Sequence, residues 1–217
     1  VRSEKMVSML ITRYQEHFNN PPFENVLDLG CGSGGAAGSL STRFRKVFSI
    51  DEDMVQLILA KKYFEEKHID NVILICARAQ ALPFSQACFD YVQAINLIEH
   101  LEDAIHQVIQ EIYRTLKIGG GYAADSRNRF DIFMPEPHSG IRFLGFLPRK
   151  LIPDFVRRTT GNHYLSTRLL SYRELASIAR KTFTHFKIVF PILVAYGQSE
   201  RYDKVLKTLE KFDLLKI

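Results

Sequence analysis

One acidic residue and three alternating glycines, Asp28, Gly30, Gly32 and Gly34, stand within the run Val26-Leu27-Asp28-Leu29-Gly30-Cys31-Gly32-Ser33-Gly34-Gly35. The apolar residues ahead of the glycines read as a strand, and the Ala- and Leu-rich stretch behind them as a helix. Glycines let a backbone turn sharply and lie against a ligand with no Cβ between them. A helix start adds unpaired N–H groups and the positive end of a dipole. Such a turn suits a nucleotide-like ligand, so an enzyme is the expected class. A second acid falls where a ribose would lie. Phe48-Ser49-Ile50-Asp51-Glu52-Asp53 closes the next strand about 20 residues past the glycines, where a carboxylate can accept from both ribose hydroxyls. Asp51 is the expected ribose ligand, and Asp53, directly ahead of a helix, reads as its N-cap.

Groups able to move protons come later: His100, Asp125, Arg127, Asn128, Glu136, His138, His163 and Tyr164. His100 follows the fourth strand, at the sheet edge where ligands bind in such folds, and either meets a ligand or caps the next helix. Glu136 and His138, stiffened by Pro135 and Pro137, form a polar hook that either touches substrate or only shapes its loop. Asp125 either faces the pocket or orients Arg127. Cys31, Cys76 and Cys88 lack zinc-type or disulfide spacing, so no metal site and a reducing, cytoplasmic setting are expected. Cys31 is expected to fill a small space rather than act as a nucleophile.

Four further motifs narrow the ligand. Ala79-Gln80-Ala81-Leu82-Pro83-Phe84 is followed by Phe89-Asp90-Tyr91-Val92, then Asn96-Leu97-Ile98-Glu99-His100-Leu101, then Leu116-Lys117-Ile118-Gly119-Gly120-Gly121. With the acid and G-x-G-x-G of the first turn, this order over residues 25–125 resembles the class I S-adenosylmethionine-dependent methyltransferases, in their small-molecule branch. The resemblance implies S-adenosyl-L-methionine as cofactor, with Asp28 orienting its ammonium and Gly30, Gly32 and Gly34 meeting its amino-acid end. Asp51 would take the ribose, with Glu52 and Met54 beside it. Ala79 and Gln80 would meet the adenine, and Asn96 and Leu97 would line the sulfonium side. His100, Asp125 and His138 are the catalytic candidates. Arg78 departs from the family, which often places an acid there to accept from the adenine amino group; an arginine has no acceptor. The segment from Asn128 to His138, with Leu147-Pro148-Arg149 and Tyr164, more loosely resembles insertions in bacterial methyltransferases of glycan and glycolipid synthesis.

Positioning these groups takes alternating strands and helices. Strands are expected at 25–30, 46–50, 72–76 and 89–95, with helices at 35–44, 53–67 and 101–116. Gly119-Gly120-Gly121 should end the last of these helices, before a short strand from Tyr122. The fold class is therefore α/β: a doubly wound, Rossmann-like, mostly parallel sheet in a single domain over 1–217, opened by a helix over 1–20. Residues 126–170 break the pattern as a compact lid or recognition insertion. A capped helix over 171–181, a strand over 183–190 and a helix over 200–215 should follow. Ile192–Tyr196 makes a poor closing antiparallel strand, so the sheet is expected to stop short of it. The first residue is Val, which points to trimming at that end.

At 217 residues and 46% hydrophobic content, the chain can bury a sizeable core, and no apolar run approaches a membrane span. The net charge of +5 is concentrated over 126–181, where eleven Lys and Arg face four acids. That patch is either a solvated face or a surface for phosphates, anionic lipid or nucleic acid. The expected partner is a small-molecule or glycan- or lipid-linked acceptor, with peripheral membrane contact allowed. An RNA acceptor and a non-catalytic cofactor-binding subunit are the alternatives. Oligomeric state is not legible.

Overall fold

The computed structural model describes residues 2–18, 24–132, 134–164 and 167–188. Backbone contacts divide the chain into Val1–Phe186 and Lys187–Ile217. The first unit is described here; all but two residues of the second lie outside the described ones.

Five strands form one sheet: β1 (Asn25–Leu29), β2 (Lys46–Asp51), β3 (Val72–Cys76), β4 (Phe89–Ala94) and β5 (Leu116–Ala124). They lie in the order β3-β2-β1-β4-β5, and every pairing is parallel. The chain winds outward from β1 to β3, then crosses back so that β4 lies on the other side of β1. The order therefore reverses between β1 and β4, and the crevice at their carboxyl ends is where such sheets take ligands.

The strands bury both faces, so their apolar residues run nearly unbroken and alternate between two cores. Val26, Val47 and Tyr91 face one layer with Val7 and Ile11 of α1 (Arg2–His17), Ala37 and Leu40 of α2 (Gly35–Leu40), and Ala60 and Phe64 of α3 (Met54–Lys67). Leu27, Leu29, Val92 and Ala94 face the opposite layer. There α4 (Ile105–Thr115) buries Ile105, Val108, Ile109 and Ile112, and α6 (Tyr172–Thr182) adds Ile178. The apolar stripe of α4 is a 3.6-residue period, and burying each branched side chain contributes about 1.5–3 kcal/mol. Two local caps match their sequence signals. Asp53 accepts from the Val55 N–H at 2.8 Å, and Ser171 with Glu174 closes a capping box ahead of α6.

Several expected boundaries shift. The helix expected from Leu101 begins only at Ile105 as α4; the 3₁₀ turn Glu102–Ala104 takes its first residues, and a second 3₁₀ turn, Ile98–His100, precedes it. The three glycines at 119–121 do not end a helix; they lie inside β5. The reason is an irregular pairing with β4 between Phe89 and Tyr91. A Cβ on Gly120 would come within 2.9 Å of the Lys117 carbonyl and 3.1 Å of those of Phe89 and Asp90. A Cβ on Gly121 would strike the Tyr14 ring of α1. Among the described residues, 183–188 form no strand, and the remainder of that expected strand lies outside them. The expected helix over 200–215 and the closing-strand candidate also lie outside the described residues.

The described residues of 126–170 form turns and short helices, including α5 (Ile152–Thr160) with its own small core of Leu144, Ile152 and Val156. The ends of this segment return to the sheet edge: Arg129 N–H donates to the Leu170 carbonyl at 2.9 Å, and Arg168 N–H to the Glu99 carbonyl at 2.7 Å.

At the opposite end of the sheet, buried Asp90 accepts from the Asn25 N–H at 2.8 Å and from Lys117 Nζ at 2.7 Å. The Lys117 side chain is 38% exposed, so part of its charge is solvated once the partner goes. Asp90→Ala should therefore cost about 2–4 kcal/mol, at the lower side of a fully buried pair. Denaturant unfolding should show a lower midpoint at unchanged slope.

Candidate functional site

The glycine turn is left-handed at three points, with φ of +74° at Gly30, +51° at Gly32 and +87° at Gly34. Gly30 and Cys31 both donate their N–H to the Ile50 carbonyl at 2.9 Å, which ties the turn to the end of β2. A Cβ on Gly34 would lie 2.7 Å from the Phe64 ring, so this glycine also allows α2 to approach α3. A Cβ on Gly30 would lie 2.9 Å from Leu97 Cδ1. The first turn and the loop after β4, expected to line one ligand, therefore meet at Gly30 and Leu97.

Asp51 holds the other side. Its two carboxylate oxygens accept from the Gly32 N–H at 2.8 Å and the Asp53 N–H at 2.9 Å. Each oxygen keeps a further lone pair for a ligand. Beneath the turn, Asp28 pairs in register with Ser49 and Gln93, so the three share one face of the sheet. All three are buried, and Asp28 Oδ2, Ser49 Oγ and both amide atoms of Gln93 have no hydrogen-bond partner. Burial pushes the Asp28 carboxyl up to about 7, helped by the charge of Asp51 and opposed by the Ala37 N–H. Burial, with the same two carboxylates, also raises the Cys31 thiol, which is buried within the turn.

At the expected adenine end, Arg78 Nε lies 3.4 Å from Glu52 Oε2, both well exposed. Such a pair is worth about 1 kcal/mol or less. Met54 opens α3 and is 54% exposed at the same rim. The turn carrying Ala79 and Gln80 is pinned from α4. Glu111 Oε2 accepts from the Leu82 N–H at 2.8 Å, while Arg114 donates to the Phe84 and Leu82 carbonyls at 2.7 and 3.1 Å. Gln107 Nε2 adds a bond to the Gln80 carbonyl at 3.1 Å. These positioning residues were not singled out from sequence, though a Glu and Arg three apart on a helix were a visible signal.

The acid–base candidates gather at the ends of β4 and β5. Asn96 takes a left-handed φ of 52°, and its N–H donates to Asp125 Oδ1 at 2.8 Å. Asp125 N–H in turn donates to the Ala94 carbonyl at 3.2 Å, so Asp125 shapes the loop that presents Asn96 and Leu97. Arg127 lies 3.6 Å from Asp131. His100 and His138, from separate segments, meet edge to face with centroids 5.1 Å apart. Beside them Glu99, which sequence reasoning passed over, is 2% exposed. Burial holds its carboxyl above the usual carboxylate range.

The polar hook divides into two roles. Glu136 is buried, and its Oε2 accepts from the His138 N–H at 3.1 Å and from the Ser139 N–H and hydroxyl at 2.6 Å each. It builds its own turn, while His138 stands exposed at the rim. Tyr164 lies by Glu136, its phenol raised by burial and then by that carboxylate, and His163 is exposed. Asn128 bridges to Leu170.

Three insertion arginines are engaged, two of them inward and Arg168 at the surface. Arg129 donates to the Gly145 and Leu147 carbonyls at 2.8 and 2.9 Å, Arg149 bonds Glu174 at 2.7 Å, and Arg168 pairs with Asp103. Burial opposes the charge on Glu174, yet the Ser171 backbone and Arg149 outweigh it and hold its carboxyl down to about 2. An open cleft of about 260 Å³ runs between Arg129, Arg149, Tyr164 and Arg168.

Residues 26–120 match the family described as "Methyltransferase domain". The chain is 26% identical over 153 residues to an uncharacterized methyltransferase, YcgJ, of Bacillus subtilis, covering 69% of this chain and 58% of that one. It is 28% identical over 167 residues to a malonyl-[acyl-carrier protein] O-methyltransferase of Enterobacter lignolyticus, covering 73% and 62%. The crystal structure of the Bacillus protein superposes with a TM-score of 0.57 at 21% identity, over 83% of this chain and 67% of that one. The [4+2]-cyclase SpnF superposes at 0.59 with 20% identity, over 82% and 57%. At these identities the superpositions speak to the fold, and a cyclase among them shows that this fold does not by itself name a reaction. The chain spans about six-tenths of the length of the two curated relatives. The sheet order and the superpositions give the chain the α/β, Rossmann-like fold of class I methyltransferases, and its segment 26–120 matches the methyltransferase-domain family.

Proposed function

We propose that the chain binds S-adenosyl-L-methionine at the carboxyl ends of β1, β2 and β4 and methylates a small-molecule acceptor. The observation that carries this is Asp28. It is a buried carboxyl with an unpartnered oxygen directly beneath a glycine turn whose other wall is Asp51. An ammonium group would satisfy that oxygen, and ribose hydroxyls would complete Asp51, so the residues present fit the cofactor. When bound, the cofactor supplies a methyl group already activated on a sulfonium.

The chain's own residues then bind and orient. Asp28 holds the ammonium, with Gly30, Gly32 and Gly34 leaving room for the amino-acid end. Asp51 holds the ribose, with Glu52 and Met54 at its rim. Ala79 and Gln80 line the adenine, fixed in place by Glu111 and Arg114. Asn96 and Leu97 line the acceptor side, and Asp125 fixes their loop. His100 and His138 stand together where an acceptor enters. In-line positioning supplies most of the acceleration such a transfer needs.

The relatives include proteins named for acyl-carrier-protein, quinone and sterol methylation, which supports a small-molecule acceptor. A lipid-linked acceptor is the finer form of this reading. It is supported by Phe130, Phe143 and Phe146, exposed by 41, 55 and 57%, with Phe146 in ring contact with each of the other two. Among the described residues no helix is long and apolar enough to cross a membrane. The inward bonding of Arg129 and Arg149, and the surface pair of Arg168 with Asp103, remove part of the basic surface that would have favoured a nucleic acid.

Incubation of the full chain with methyl-labelled cofactor and a panel of hydroxylated quinones, sterols, acyl thioesters and polyprenyl-linked sugars tests this. Label transfer to at least one class is expected. Tight cofactor binding with no transfer across the panel would instead favour a non-catalytic cofactor-binding subunit.

A further inference from the structure

Glu99, His100 and His138 bring three potential ligand atoms, one carboxylate oxygen and two imidazole nitrogens, within 4.8 Å of one another. They come from two separate segments, and both segments are fixed. Glu99 and His100 lie in the 3₁₀ turn after β4, where His100 N–H donates to the Leu97 carbonyl at 2.9 Å and the Glu99 carbonyl accepts from Arg168. His138 is held from the insertion by the carboxylate of Glu136, which accepts its backbone N–H. The Glu99 side chain is buried, and its Oε2 has no hydrogen-bond partner. Leaving such an oxygen unsatisfied is costly, and a cation beside the carboxylate removes that cost.

We propose that Glu99, His100 and His138 form a binding site for one divalent transition-metal cation. Its open positions take an oxygen of the acceptor.

Two imidazoles with one carboxylate suit Zn²⁺, Mn²⁺, Fe²⁺ or Co²⁺ better than Mg²⁺ or Ca²⁺, which prefer all-oxygen sets. Three protein ligands with further positions open is the pattern of a site that meets a ligand, not of a closed structural one. Metal–ligand bonds near 2.0–2.2 Å require ligand atoms roughly 3–4 Å apart, so the cluster must tighten by about 1 Å. The two exposed imidazoles can supply that by side-chain rotation. The place also fits. Leu97, two residues before Glu99, lies over Gly30, so the cluster sits on the side of the cofactor turn that faces the acceptor. A cation there would anchor an acceptor oxygen and weaken its O–H bond. That role rests on the methyltransferase reading; the cation site itself does not.

Untagged full chain, stripped with a chelator, is titrated with Co²⁺ and followed by visible absorption. Saturation at one Co²⁺ per chain is expected, with the d–d bands of mixed nitrogen and oxygen ligation. His138→Ala and His100→Ala should each weaken binding at least roughly tenfold, and Glu99→Gln should do the same. His138 is exposed, so its variant should fold even where Glu99→Gln does not. Absence of Co²⁺ binding at about 1 mM, near the weakest affinity worth assigning to a site, would overturn the proposal. So would binding that His138→Ala and His100→Ala leave unaltered. S-adenosylhomocysteine affinity, measured in parallel on the unaltered chain, reports separately on the methyltransferase reading.

Discussion

Asp51→Ala should weaken S-adenosylhomocysteine binding by at least roughly 100-fold, because the proposed ribose contacts would be two hydrogen bonds to this carboxylate, each worth about 1.5–3 kcal/mol. The structure adds a second reason. The same carboxylate accepts from the Gly32 and Asp53 N–H groups at 2.8 and 2.9 Å, so it holds the cofactor turn and the start of α3 together. Its removal frees both N–H groups near solvent, at a stability cost of about 1–2 kcal/mol. Asp51→Asn keeps one acceptor oxygen and should fall between the wild type and Ala in both measurements. Loss of stability without loss of affinity would mean that Asp51 braces the turn and does not meet ligand.

Asp28→Asn should move stability and binding in opposite directions. Burial raises this carboxyl from 3.8 to about 7. A raised acid contributes most to stability while protonated. That contribution is fully present below about pH 4 and is lost as pH rises through about 7. Keeping the buried group ionised at pH 8 therefore costs on the order of 4 kcal/mol. An amide of the same shape escapes that cost but gains unpaired N–H groups, so about 2 kcal/mol should be recovered, or about 5 °C in melting temperature at pH 8. The gain should shrink as the pH approaches 4. Binding goes the other way: without the carboxylate, the ligand ammonium loses its partner, and affinity should fall by roughly 10- to 100-fold. Wild-type affinity should itself weaken about tenfold between pH 8 and pH 6, because the ammonium requires the ionised form. Asp28→Asn should abolish that pH dependence.

The parts of this fold legible in the sequence are those encoded within a few residues of one another. The left-handed glycines at 30, 32 and 34, the Asp53 cap and the Ser171–Glu174 capping box are local patterns, and each stands where its spacing placed it. The doubly wound order followed from alternating strand and helix signals. What stayed hidden depends on contacts distant in sequence. Gly119-Gly120-Gly121 reads as a helix stop until the irregular β4–β5 pairing and the Tyr14 ring show what needs the space. The insertion arginines read as a charged surface, yet Arg129 and Arg149 point at carbonyls and a carboxylate some 16–25 residues away. Glu136 reads from sequence as part of a polar hook, and the bonds by which it braces its own turn at His138 and Ser139 show only in three dimensions. Glu99, inside an apolar-looking motif, is seen as a buried carboxylate beside two histidines only once His138 is carried in by the insertion.

Calorimetric titration of S-adenosylhomocysteine into the full chain at pH 8, with Asp51→Ala alongside, bears most directly on the cofactor site. One ligand per chain is predicted, with an affinity that Asp51→Ala lowers at least roughly 100-fold. A folded wild-type chain that takes up no ligand, or one whose affinity Asp51→Ala leaves unchanged, would contradict it.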